Sequence, residues 1–164
     1  MKEYLLVMVA SFLAGATNAV AGGGTLITFP VLVWVGLDPL SANITNTVAL
    51  WVGPLFGAYA FREYVKLGRE YLKKLLLPTL LGSLLGAYLL VNTSQETFKL
   101  LVPFLILLAT ILVAVNDKVV SFTQRHLRRG SLPFALFIQF IASLYGGYFG
   151  AGTGIIMLAS LGII

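Results

Sequence analysis

The sequence predicts an all-α integral membrane protein, a polytopic helical bundle with an internal repeat and glycine-broken first and fifth segments. Three observations carry that reading. Hydrophobic residues fill 59% of the 164 positions and charged residues only 10%, where a soluble domain holds about 25% charged residues. The apolar residues come in five long blocks. The first and last blocks are interrupted by glycines at matched positions. Phe12, Ala14, Gly22, Gly24, Thr25 and Ile27 fall, at an offset of 128 residues, on Phe140, Ala142, Gly150, Gly152, Thr153 and Ile155. Paired glycine-interrupted hydrophobic segments in two halves of a chain are a sequence pointer to a transporter binding site.

The blocks run Tyr4–Leu37, Ala42–Phe61, Leu75–Val91, Leu100–Asn116 and Leu132–Ile164. A spanning helix needs about 20 apolar residues. The middle three blocks therefore predict single helices, while the outer two are too long for one span and too short for two. The first block is no cleaved signal peptide, because its apolar run overshoots the roughly 7–15 residues of a signal core. The chain has no cysteine, which excludes disulfides, thiolate metal sites and cysteine nucleophiles. The net charge of +5 does not point to nucleic acid, since the basic residues flank the apolar blocks, where the positive-inside bias puts them.

Arg62–Lys74 and Lys118–Arg129 are rich in basic residues, whereas Asn92–Lys99 has one and Asp38–Asn46 has none. The bias places the two rich loops in the cytoplasm and the Asn92–Lys99 turn outside. Two arrangements of the first block stay open. A broken helix crossing once puts Met1 inside and makes the repeats parallel; a re-entrant hairpin puts Met1 outside and makes them inverted. Gly53/Gly57 and Gly82/Gly86 have the small-residue spacing that lets membrane helices approach closely, and their consecutive helices are expected to pack on each other.

The glycine breaks have chemical consequences. Three glycines at 22–24 weaken a helix by about 1 kcal/mol each relative to alanine, and Pro30 removes a further donor. Irregular backbone at membrane depth survives only inside protein or beside a water-filled cavity. A half-helix starting there directs N–H groups and a positive dipole end inward, a basis for holding an anion. Gly22, Gly23, Gly24 and Thr25 in the first break, and Gly150, Gly152, Thr153 and Gly154 in the second, are the substrate-binding candidates. Tight helix packing is the plainer account of the same glycines.

Thr45 and Asn46 join them from the polar stretch Ser41–Thr47. Only Val48–Phe61 separates them from Arg62, about 21 Å of helix against a core of about 30 Å. Asn46 is thus expected below the outer surface, level with the first break; helix capping is the plainer role. The block interiors hold no Asp, Glu, Lys, Arg or His, which argues against a carboxylate proton relay and for a neutral, dipole-lined anion site. No catalytic set, metal site or cofactor motif can be assembled. Gly150–Gly154 lacks the lysine of a phosphate-binding loop, and His126, the one histidine, lies in a basic loop.

Ala21-Gly-Gly-Gly-Thr-Leu-Ile-Thr-Phe-Pro30, Gly36-Leu-Asp-Pro39, Thr45-Asn46 and Gly146–Ile156 resemble the TauE/SafE family of membrane transporters, named for sulfite and sulfoacetate exporters. The resemblance implies a multi-pass protein of the inner (plasma) membrane that moves small sulfur-containing or organic anions, often outward, and is no enzyme. Its partners would be the lipid bilayer and the anion. Residues 1–131 would form a first repeat and 132–164 the start of a second, truncated one. A second copy or complementary half is then expected, and a non-transporting membrane subunit is the alternative.

Overall fold

The computed structural model describes residues 2–21, 23–115, 118, 121 and 132–161. Among them are helices α1 (Lys2–Ala21), α2 (Thr25–Trp34), α3 (Pro39–Leu50), α4 (Val52–Ala60), α5 (Arg62–Leu67), α6 (Arg69–Val91), α7 (Gln95–Ala114), α8 (Leu132–Tyr148) and α9 (Thr153–Leu161), and no strand. Helices α6 and α7 are long and apolar enough to cross a membrane; α2 and α8 are shorter apolar helices. Their outward faces are greasy: Leu76, Leu77, Leu80, Leu84 and Tyr88 on α6, and Leu100, Phe104, Leu107 and Ile111 on α7, are all exposed. Apolar exposure on this scale suits a lipid environment. The protein is an all-α membrane protein.

The first block turns back on itself. A helix running straight on would separate residues 14 and 24 by about 15 Å. Instead, a Cβ added to Gly24 would fall 2.5 Å from the Ala14 carbonyl oxygen and 3.1 Å from Asn18 Cβ. Gly24 has ordinary right-handed helical angles, φ −57° and ψ −33°, so glycine is needed here for close approach rather than for conformation. The last block turns likewise, with Thr153 lying against Gly146. There the reason is conformational, because Gly150 and Gly152 have φ of +83° and +74°, a region that disfavours any side chain. The half-helices α2 and α9 open at Thr25 and Thr153, the threonines paired in the sequence. The two also share a matched bond: the Ile27 N–H reaches Gly24 O at 3.0 Å and the Ile155 N–H reaches Gly152 O at 3.1 Å.

The second block departs from one helix. Its helix begins at Pro39, with Asp38 as N-cap accepting from the Ser41 N–H at 3.0 Å. Proline at the first position costs nothing there, since that N–H is unpaired in any helix. Hydrogen bonds from the Ser41 hydroxyl and N–H hold the Asp38 carboxyl below its ordinary pKa. The helix is interrupted at Trp51, where Pro54 removes the donor that the Leu50 carbonyl would need.

Gly82 and Gly86 do not pack on Gly53 and Gly57. They receive α8: a Cβ on Gly82 would fall 2.5 Å from Phe140 O and 2.9 Å from Ser143 Cβ, and one on Gly86 would crowd Leu144 O and Gly147. The pairs Thr79–Gln139, Gly82–Phe140 and Gly86–Leu144 advance together, so α6 and α8 run parallel. Added Cβ atoms on Gly53 and Gly57 would meet nothing within 4 Å. The core gathers Phe29, Leu90, Phe98, Ala109, Phe149 and Ala151, with the Phe29 and Phe149 rings edge-to-face at 5.5 Å.

Candidate functional site

A cavity of about 830 Å³ lies among α1, α2, α3 and α4. Its walls are mainly apolar (Val7, Val31, Leu32, Leu50, Phe56 and Phe61 among them), and Gly53 and Gly57 face it. Ser11, Asn18, Thr28, Thr45 and Asn46 are its polar residues, and among the described residues no charged one lines it. The size is within the roughly 300–1,000 Å³ of small-molecule sites, which share this pattern of apolar walls with a few convergent polar groups.

Its most enclosed polar point is Asn46, 2% exposed, beside Thr28, 6% exposed. The Thr28 hydroxyl donates to Asn46 Oδ1, and Asn46 Nδ2 has no hydrogen-bond partner. A buried amide donor left without an acceptor costs about 1–3 kcal/mol, so this one calls for an acceptor from whatever fills the cavity, water or ligand. Thr28 also ties the cavity to the first break, because its N–H donates to Gly24 O at 3.2 Å. Thr28, the partner of Asn46, is therefore one helical turn from the break. It caps no helix, since α3 starts seven residues earlier at Pro39.

The sequence candidates fall into two groups. Thr45 and Asn46 line the cavity. Gly23, Gly24 and Thr25 are buried behind its wall, Gly23 against Thr17 and Val113; Gly22 lies outside the described residues. Gly150, Gly152, Thr153 and Gly154 do not reach this cavity. Gly152 rests on Ala109 and Leu112 of α7, and the Thr153 hydroxyl caps its own turn by donating to Gly150 O at 2.8 Å. Sequence reasoning does not reach Thr28, Asn18 and Ser11. For Thr28 a signal exists, since it follows Thr25 by three residues and shares its helix face. Asn43, three residues before Asn46, is buried and donates from Nδ2 to the Tyr148 carbonyl at 2.9 Å, joining α3 to the end of α8. Among the described residues no cluster of His, Asp or Glu could hold a metal ion.

Glycine-broken apolar helices around a cavity with a few convergent polar groups define the class as a helical membrane protein. Known proteins narrow the class. The sequence profile of the sulfite exporter TauE/SafE family matches residues 7–164, and the chain belongs to that family. A probable membrane transporter protein of Haemophilus influenzae is 34% identical over 146 residues, 89% of this chain and 57% of its own length. A Sinorhizobium probable membrane transporter protein, ORF9, is 31% identical over 95% of this chain and 62% of its own. The Escherichia coli K12 probable membrane transporter protein YfcA is 30% identical over 88% of this chain and 53% of its own. The chain thus spans little more than half the length of these relatives. No solved structure matches it.

Proposed function

We propose that this chain forms the anion-recognising part of a multi-pass inner-membrane transporter. Its substrates would be small sulfur oxyanions or organosulfonates, with export as the direction. The observation that carries the reading is the Asn46 amide, left without an acceptor among the described residues, in a mainly apolar cavity that no described charged residue lines. Such a site offers hydrogen-bond donors and no buried carboxylate, which suits an anion; the apolar walls leave room for an organic body. An inside-negative potential favours exit of an anion by about 2.3 kcal/mol per charge per 100 mV, so export requires no coupling ion.

The chain path supports inverted repeats, 1–131 and the part that starts at 132. In this reading α1 enters from outside and turns at the glycines, and α2 returns. Helix α8 rises from the cytoplasm beside its parallel neighbour α6, because Arg62–Lys74 precedes α6. A second copy or a complementary set of helices would complete the transporter.

The test is potential-driven sulfite and methanesulfonate efflux from proteoliposomes, with the chain alone and with the remaining helices of a relative added. Asn46→Ala is expected to lower efflux at limiting substrate by about 10- to 100-fold, the loss of one hydrogen bond to a charged group. Unchanged efflux in that variant refutes the site. No efflux under either condition favours the non-transporting subunit.

A further inference from the structure

We infer that the face of α1 carrying Ser11, Phe12, Gly15 and Ala16 is the seat of a further membrane helix, the repeat counterpart of α6, and that this helix completes one wall of the cavity. The inference rests on the reading above that a complementary set of helices completes the transporter, and it names where they attach. It starts from α8, which the repeat pairs with α1. Helix α8 meets α6 through Gln139, Phe140, Ser143 and Leu144. Gln139 Nε2 donates to Thr79 Oγ1 at 2.9 Å, and Phe140 O, Ser143 Cβ and Leu144 N lie 2.5, 2.9 and 3.0 Å from a Cβ placed on Gly82. The polar members of that face are well covered, Gln139 at 5% exposure and Ser143 at 1%. At the offset of 128 residues the same four positions are Ser11, Phe12, Gly15 and Ala16, and all four are exposed. A Cβ on Gly15 would meet nothing within 4 Å. Ala14 and Ala142, another matched pair, are both buried. The two helices therefore share a buried side and differ where α6 sits.

The occupant follows from the same comparison. Small residues on a membrane helix let a second backbone approach closely, and Gly15 and Ala16 are smaller than the Ser143 and Leu144 that already admit α6. A second copy of this chain cannot offer its own α6, because its α8 covers that helix. The relatives have room for another: the chain spans 57% of the length of the Haemophilus influenzae protein. Since α6 and α8 run parallel, the incoming helix runs parallel to α1, with small residues four apart in the places of Gly82 and Gly86. Its residue in the place of Thr79 falls opposite Ser11. Ser11 and Gly15 also line the cavity, so the incoming helix borders it and brings that residue to its wall. The recognition site is incomplete until the complement is seated.

The test co-expresses the tagged 164-residue chain with the part of the Haemophilus influenzae protein outside the matched 146 residues, and it reads association without any substrate. The chain has no cysteine, so Gly15→Cys introduces a single thiol. Oxidation is expected to join it to cysteines scanned along one helix of the complement, recurring about every four residues; Leu107→Cys, on the exposed face of α7, should form no such bond. Gly15→Leu is the second arm. Its side chain enters open space in the chain alone, so the melting temperature should hold or rise, while recovery of the complement should fall by about 10-fold through overpacking of the new interface. Complement recovered equally by wild type and Gly15→Leu overturns the inference and leaves the two-part transporter standing, as do cross-links from Gly15→Cys only to a second copy of the chain. A complement that does not associate with wild type removes both.

Discussion

Gly82→Ala tests whether close backbone approach holds the α6–α8 interface. The new methyl would sit 2.5 Å from the Phe140 carbonyl oxygen, 2.9 Å from Ser143 Cβ and 3.0 Å from the Leu144 nitrogen. Two of these neighbours are backbone, so no rotamer change relieves them. Restoring an ordinary 3.4 Å separation moves the helices apart by about 0.9 Å locally, and a gap of roughly 0.5–1 Å forfeits a quarter to a half of the dispersion attraction across it. In lipid that weakening is not offset by a hydrophobic gain, because packing is itself the main attraction between helices. Overpacking costs about 1–3 kcal/mol, against at most about 1 kcal/mol gained from replacing a helical glycine by alanine. The net expectation is a destabilisation of about 1–2 kcal/mol. Gly53→Ala is the control: its methyl meets nothing within 4 Å, so only the helix gain remains and stability should hold or rise. Thermal unfolding in detergent, followed by circular dichroism, reads both. A Gly82→Ala protein as stable as wild type, or a Gly53→Ala protein destabilised as much, refutes the packing argument.

The remaining predictions concern single anchors. Asn43→Ala removes the Nδ2 bond to Tyr148 O and should destabilise by about 0.6–1.7 kcal/mol, the usual range for interhelical side-chain bonds in membranes. The same melt checks it, and an unchanged melting temperature would show that the bond does not join α3 to α8. Asp38→Asn keeps an N-cap but removes its charge. The folded pKa of Asp38 is lowered, so its charge-dependent stabilisation is present above the ordinary carboxylate pKa and is lost as pH falls through the folded value. The difference in melting temperature between wild type and Asp38→Asn should therefore shrink on acidification through that window. A pH-independent difference refutes it.

Much of this is legible in the sequence because membrane helices announce themselves by composition, and because glycine clusters end helices wherever they fall. The half-helix start at Thr25, the polar point at Asn46 and the exclusion of charge from the cavity all follow from local rules. The hairpin does not, since Gly22–Gly24 permits either a straight continuation or a reversal and only packing against Ala14 and Asn18 selects between them. Nor does the partner of Gly82: a small-residue spacing encodes closeness but not which helix comes close. Thr28 is easily passed over because, within the run Thr25–Trp34, its spacing from Thr25 is the one signal and it otherwise reads as a tolerated hydroxyl in an apolar helix. The split at Trp51 is available in principle from Pro54. The helix start at Pro39 is harder to see, because Asp38 reads as loop charge until Ser41 is found bonding to it.

The distribution of polar groups has a common energetic logic. A lysine or arginine at the bilayer centre costs about 2.5–3.5 kcal/mol on insertion scales, and among the described residues none lines the cavity. The chain instead gives up stability in smaller amounts, on glycines that end helices and on one amide left without an acceptor. Helix α3 carries that amide at Asn46 and, one turn earlier, the Asn43 bond to the end of α8. Helix α7 receives both breaks on one face, Gly23 at Val113 and Gly152 at Ala109 and Leu112. The two hairpins are therefore located by the same pair of helices, which fixes Thr28 against Asn46 without any ion pair in the cavity. An oxyanion bound in the proposed site would give Asn46 the acceptor that no described residue supplies, at a point that α2 and α3 already hold in place.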